Sequence, residues 1–170
     1  MAKTDSTPNG TANLSRGDRK FIEEAAKGGM AEVQLGKLAA EKAGNPQVKQ
    51  FGQRMVDDHT KANSQLQQLA STKNITLPQD IDRSHQREYD RLQKLSGAQF
   101  DREYMKHMVS DHKKDVKEFQ KTAKSAKDPD VKNFAQSTLP TLEDHLRQAQ
   151  TDEAAVKSSG NNKQRQASSS

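Results

Sequence analysis

The 170-residue chain has no cysteine and no tryptophan, and aromatic residues make up only 4% of it. Without cysteine there is no disulfide framework, no thiolate metal site and no thiol nucleophile. So few aromatics make a β-sandwich or barrel hard to build, because their strands draw on aromatic and β-branched residues. Leu, Ile, Val and Phe together reach only about 15% of the chain, below the roughly 20% at which disorder becomes the competing reading. Disorder also wants a large net charge, whereas 28 basic residues here nearly balance 23 acidic ones, for a net +5. No apolar run approaches the roughly 20 residues of a membrane span, and no apolar block in the first 20 residues forms a signal peptide. A pI near 9.4 hints at anionic partners. Basic and acidic residues are interleaved, however, as in Asp101-Arg102-Glu103, and there is no aromatic platform for bases. Nucleic acid is not expected as a partner.

What is present is helical periodicity. Residues 1–17 and 151–170 are small, polar and aperiodic, and are expected to be a flexible arm and tail around one domain at 18–150. Between them the 3.6-residue period recurs. A first helix is predicted from about Asp18 to Gly44, with Phe21, Ile22, Ala25, Glu32, Leu35 and Ala39 on one stripe. Asn45-Pro46 stops it and starts a second, with Asn45 as N-cap and Pro46 at the first helical position. That helix aligns Val48, Phe51, Met55, His59, Ala62, Leu66 and Leu69 and ends near Lys73. A loop broken by Pro78 and a short helix over about 83–95 follow. A long helix then aligns Phe100, Tyr104, Met108, His112, Val116 and Phe119. Asp128-Pro129 repeats the cap signal, opening a last helix with Val131, Phe134, Thr138, Leu142, His145 and Ala149; Pro140 inside it is expected to cause a kink. The predicted fold is all-α: four long helices in two hairpins, with a long connection carrying a short extra helix.

Each long helix interrupts its apolar stripe once, near the middle, with a residue able to bind metal: Glu32, His59, His112 and His145. Burying an ionisable group alone costs several kcal/mol, so four at stripe positions point to mutual satisfaction or a shared ion. Glu32 and His59 are symmetric about the Asn45-Pro46 turn, and His112 and His145 about Asp128-Pro129. Both pairs therefore face each other across their hairpins. Their distances from the turns are about 20 and 25 Å at about 1.5 Å per residue, close enough for all four to share one layer. Three imidazoles and a carboxylate suit one divalent transition metal, zinc best, with copper or iron as alternatives. Asp58, Asp111 and Asp115 are placed to accept a ring N–H and orient a ligating histidine. The alternative without metal is a polar core network.

Other residues read more plainly. His85 and His107 fall off the stripes and are expected at the surface. Met30, Met55, Met105 and Met108 could bind soft copper, but at helical spacing they read as core. Tyr104 reads as core with its hydroxyl near the site, and Gly28-Gly29 as close helix packing.

The segments Glu32-Val33-x-Leu35-Gly36-x-Leu38-Ala39, Met55-Val-x-Asp58-His59, Phe100-Asp101-x-x-Tyr104, Asp111-His112 and Leu139-Pro140-x-Leu142-x-x-His145 together resemble a ferritin-like bacterial family of domains of unknown function, often labelled outer-membrane or periplasmic. The resemblance covers about residues 18–150. It implies a ferritin-like four-helix bundle with a long crossover, Pro140 as part of the normal pattern, and a location in the periplasm or cell envelope, although without a signal peptide a cytoplasmic location stays open. Di-iron members of the wider fold use Glu from two helices and Glu-x-x-His from the others; this chain has one central Glu and no Glu-x-x-His. The expected function is thus the holding of one metal ion, for storage, sensing or structure, since four protein ligands close a site. Two alternatives are a ferritin-like oxidase in which Asp58, Asp111 or Asp115 completes a metal site, and a metal-free interaction or stress-protection bundle. A homodimer is left open.

Overall fold

The computed structural model describes residues 14–167, with side chains as far as Ser159. Residues 1–13 of the expected arm and the last three of the expected tail lie outside that range. The described chain forms five helices: α1 (Arg16–Lys42), α2 (Pro46–Thr72), α3 (Arg83–Gln93), α4 (Gly97–Ser125) and α5 (Pro129–Ala167). Among the described residues there is no strand, only an isolated bridge between Ala43 and Gly97.

The helix starts follow from capping chemistry. The Ser15 hydroxyl accepts from the Asp18 N–H at 3.1 Å, so α1 begins two residues earlier than expected and takes Arg16 and Gly17 from the arm. Asn45 accepts from Gln47 N–H at 2.8 Å ahead of Pro46. Asp128 accepts from the N–H groups of Asp130 and Val131 ahead of Pro129. At the far end of α2, Asn74 adopts a left-handed φ of 56°, and Ile75 N–H returns to the Ala70 carbonyl at 2.8 Å, which closes off the helix end. Helix α5 runs unbroken through Pro140.

The expected tail needs correction. Residues 151–167 continue α5. The reason is local and tertiary at once: Glu153-Ala154-Ala155 are good helix formers, and Val156 is buried in the core, with Asp152 buried nearby. Composition alone hid that contact.

Helix α1 packs on α2 and α4 on α5, while contacts between α2 and α5 and between α1 and α4 join the two hairpins. At the α1–α2 crossing, a Cβ at Gly36 would lie 2.6 Å from the Gly52 carbonyl, and one at Gly52 would lie 2.7 Å from Ala39 Cβ. Only glycine permits that approach.

Each hairpin also grips the turn of the other. Asp101 of α4, buried, accepts from the backbone N–H groups of Gly44 at 3.0 Å and Asn45 at 2.9 Å. Asp18 of α1, also buried, accepts from Lys127 at 3.1 Å and Asp128 at 2.8 Å. The two turns therefore lie at opposite ends of the molecule. At the Asp18 end, Lys73 adds ion pairs to Asp128 at 3.0 Å and Asp130 at 2.7 Å.

The core falls into two clusters. One holds Leu35, Phe51, Met55, Tyr104, Met108 and Ala149 among others; the other holds Ile22, Leu66, Phe119, Phe134 and Leu142. On all four long helices the residue between the two clusters is the polar one: Glu32, His59, His112 or His145. The polar residues thus form a layer across the middle of the core.

Truncating either turn-gripping carboxylate strands backbone donors that a charged acceptor had satisfied, an interaction worth about 1.5–3 kcal/mol. Asp18→Ala and Asp101→Ala are each expected to lower the unfolding free energy by about 2 kcal/mol in urea titrations. Unchanged midpoints would show that the turns hold without them.

Candidate metal centre

Helices α2, α4 and α5 each send one imidazole into the layer. One ring nitrogen from each of His59, His112 and His145 lies within 4.8 Å of the other two. Ring centroids are 6.0 Å apart for His59 and His112, 5.2 Å for His59 and His145, and 5.4 Å for His112 and His145. Nitrogens around a tetrahedral ion sit roughly 3.3 Å from one another, so small side-chain adjustments would close the set.

Hydrogen bonds on the outer side of two rings determine what faces inward. His112 Nδ1 lies 2.8 Å from the Met108 carbonyl, which can only accept. The proton is therefore on Nδ1, and the Nε2 lone pair is free. His145 Nε2 lies 2.7 Å from Asp58 Oδ2, so a proton there leaves the Nδ1 lone pair free. Asp58 is held in turn by Arg54 at 3.2 Å. The remaining atoms, His112 Nε2 and His145 Nδ1 together with His59 Nε2, are buried with no hydrogen-bond partner. Three such orphans in one place match the pattern of metal ligands fixed by outer hydrogen bonds.

The electrostatics agree. Burial, then the neighbouring His112 and His145, push the His59 imidazole well below its usual range. Burial and His145 bring His112 down to about 4. Burial lowers His145 too, against the pull of Asp58. All three rings are held in the neutral form that binds metal.

Glu32 is not in this set. The structure groups it with Asp111 and Asp115, their carboxylate oxygens within 4.8 Å of one another. Of the four residues picked out by stripe position, three come together and the fourth joins a neighbouring acidic group. Of the three carboxylates expected to orient histidines, Asp58 does so, although it serves His145 on another helix and not its sequence neighbour His59. Asp111 and Asp115 belong with Glu32. Burial first, then Asp111 and Asp115, push the Glu32 carboxyl well above the usual range; burial and Asp111 push Asp115 up to about 7.

His85 and His107 are not surface groups. Both are largely buried, and their Nε2 atoms approach Asp111 Oδ2 at 3.7 and 3.5 Å. His85 Nδ1 is 2.9 Å from Asp82, and His107 Nδ1 is 3.5 Å from Glu88. Against the effect of burial, these two histidines hold Asp111 well below the usual carboxylate range. The signal in the sequence is the run His107, Asp111, Asp115 at one-turn spacing along α4.

A cavity of about 340 Å³ borders the layer, lined by His59, Asp111 and Asp115 and by Gly28, Asn63 and Phe119 among others. A Cβ on Gly28 would meet nothing within 4 Å, whereas one on Gly29 would strike Asn63 Oδ1 at 2.0 Å. Close helix packing explains Gly29; Gly28 faces open space. Met55, Met105 and Met108 pack in the core.

The family model described as Domain of unknown function (DUF4142) matches residues 3–151. No curated protein sequence matches the chain. Among solved structures, a DUF305 fragment from Deinococcus radiodurans superposes with a TM-score of 0.71 at 15% identity, covering 85% of this chain and 97% of the other. A DUF305 protein from Streptomyces coelicolor superposes with a TM-score of 0.70 at 12% identity, covering 83% and 94%. CopM in its Cu(II)-bound form gives 0.69 at 16% identity, covering 81% and 96%. At these identities the likeness is one of fold.

The depressed imidazoles have a consequence for stability. Above about pH 6.5 His112 is neutral whether the chain is folded or unfolded, and its contribution is fully present. As pH falls from there toward 4, the unfolded chain takes up a proton that the folded one refuses, at about 1.4 kcal/mol per unit. Raised Glu32 and Asp115 act in the opposite direction, so the whole-chain profile is a balance and the His112 part is read by difference. Relative to His112→Gln, the metal-free protein is expected to lose about 3 kcal/mol between pH 6.5 and 4 in urea titrations. Parallel profiles would mean that the ring is solvated.

Proposed function

The chain belongs to the DUF4142 family, whose function is undefined, and from that premise we propose that it is a metal-binding protein holding one divalent transition-metal ion between His59, His112 and His145. The observation that carries this reading is the convergence of three buried, neutral imidazoles whose inward nitrogens have no other partner. A polar network without metal would pair those atoms with one another or with donors, because an unpaired buried polar atom costs about 1–3 kcal/mol.

Copper is preferred here over the zinc that three histidines and a carboxylate first suggest. With Glu32 drawn to the acidic group, the set is imidazole only, which suits copper as well as zinc. CopM, of the same fold, has a Cu(II)-bound and an Ag-bound form. Three protein ligands leave a fourth position, and His59 lines a cavity. Such a site can exchange its ion or admit a small ligand, which favours metal handling over a purely structural role. Helices α1, α2, α4 and α5 are read as a ferritin-like bundle with α3 in the crossover. Location in the cell envelope fits the family resemblance and the description of the Streptomyces coelicolor protein as secreted.

Protein incubated with Cu²⁺ and freed of excess is expected to retain about one copper per chain by elemental analysis. His59→Ala and His112→Ala should each lose most of it while remaining helical by circular dichroism. Less than about 0.2 ion per chain with copper, zinc and iron alike would end this reading, and full occupancy in both variants would show that the ligands are others.

A further inference from the structure

Beside the three imidazoles, the layer contains a second set of groups that the copper reading does not use. We propose that Glu32, Asp111 and Asp115 form a separate site for a hard divalent cation of the Mn²⁺ class, distinct from the imidazole site although it shares the same layer. Three carboxylates within 4.8 Å of one another repel, and close carboxylates in a buried setting need a proton or a cation between them. The acidic cluster alone would not argue for a ligand. What does is Glu32 itself: it is 0% exposed, no donor group satisfies either of its oxygens, and the polar group within hydrogen-bond reach is another carboxylate, Asp111, with which it can pair only through a shared proton or a cation. Nearby Tyr104, also 0% exposed, has an unpartnered hydroxyl and lies within the field of the Glu32 charge.

The surroundings supply what a cation site needs. Asp111 is steadied from behind by His85 and His107, as metal-binding carboxylates usually are. Asp111 and Asp115 line the cavity, which gives a hydrated ion access to them. Oxygen donors alone select hard cations, and a site with only three carboxylates leaves room for waters, which Mn²⁺ retains readily. The imidazoles select the softer ion. The two sets therefore sort metals by chemical hardness across one layer.

This inference builds on the copper reading only for the contrast between the sites, and the test separates the two. Free Mn²⁺ gives a six-line paramagnetic resonance signal that is lost on binding. Titration of the full chain should bind about one Mn²⁺. Glu32→Gln and Asp115→Asn should each weaken Mn²⁺ at least about tenfold while keeping copper; His145→Gln should lose copper and keep Mn²⁺. Asp115 is only partly buried, so its variant serves if Glu32→Gln does not fold. A wild type that binds no Mn²⁺ would overturn the proposal, with a proton filling the cation's place. Equal loss of Mn²⁺ in His145→Gln and Asp115→Asn would overturn it as well, by showing a single site. Mn²⁺ bound without copper would instead sustain the acidic site and sink the copper reading.

Discussion

The register between the two hairpins rests on two buried carboxylates. Asp101 binds the α1–α2 turn and Asp18 binds the α4–α5 turn, so each hairpin is fastened at one end by the other. The heights of the polar residues follow. His112 lies eleven residues beyond Asp101 and His59 fourteen beyond Asn45, about 16 and 21 Å from the same end at about 1.5 Å per residue. Glu32, thirteen residues before Asn45, and Asp115, fourteen beyond Asp101, both come to about 20 Å. A slip of one turn, about 5.4 Å, would carry each of these groups into an apolar cluster.

That placement is unfavourable for stability taken alone. A layer of four buried ionisable residues splits a small core into two clusters, where Leu or Met would pack without desolvation cost. The imidazoles reduce the cost by staying neutral, and Asp58 and the Met108 carbonyl accept their outer protons. The inner nitrogens receive nothing in return from the protein. A chain with so little Leu, Ile, Val and Phe has little stability to spare, which makes the retention of such a layer an argument for use.

Much of this was legible in the sequence. Asn45-Pro46 and Asp128-Pro129 mark the turns because N-cap chemistry is local, and the apolar stripes mark the helices because periodicity is local too. The three histidines follow from stripe position and distance to a turn. Glu32 shows where that reasoning stops. Symmetry about a turn gives height along a hairpin but not rotation about the helix axis, and rotation brings Glu32 to Asp111 and Asp115 of α4. The expected tail failed for a related reason: Val156 joins the same core cluster as Phe100 and Ala43, a tertiary contact that no local pattern around Ser158 and Ser159 signals. His85 and His107 were expected at the surface because their shared partner, Asp111, lies off the apolar stripe of α4, within reach of both Glu32 on α1 and His85 on α3.

Helix α4 links the two halves of the layer. Successive residues on a helix are about 100° apart, so Asp111 and His112 cannot face the same neighbour. With α5 on one side of α4 and α1 on the other, His112 turns to His145 while Asp111 turns to Glu32. One dipeptide thereby contributes nitrogen to one set and oxygen to the other. A change in the rotation of α4 would alter both sets together, whereas a change in α5 would reach only the imidazoles and one in α1 only the carboxylates. The separation of nitrogen from oxygen donors is therefore a property of how α4 is packed between two neighbours, and the close approach of Gly36 and Gly52, by fixing α1 against α2, helps to hold one side of it in place.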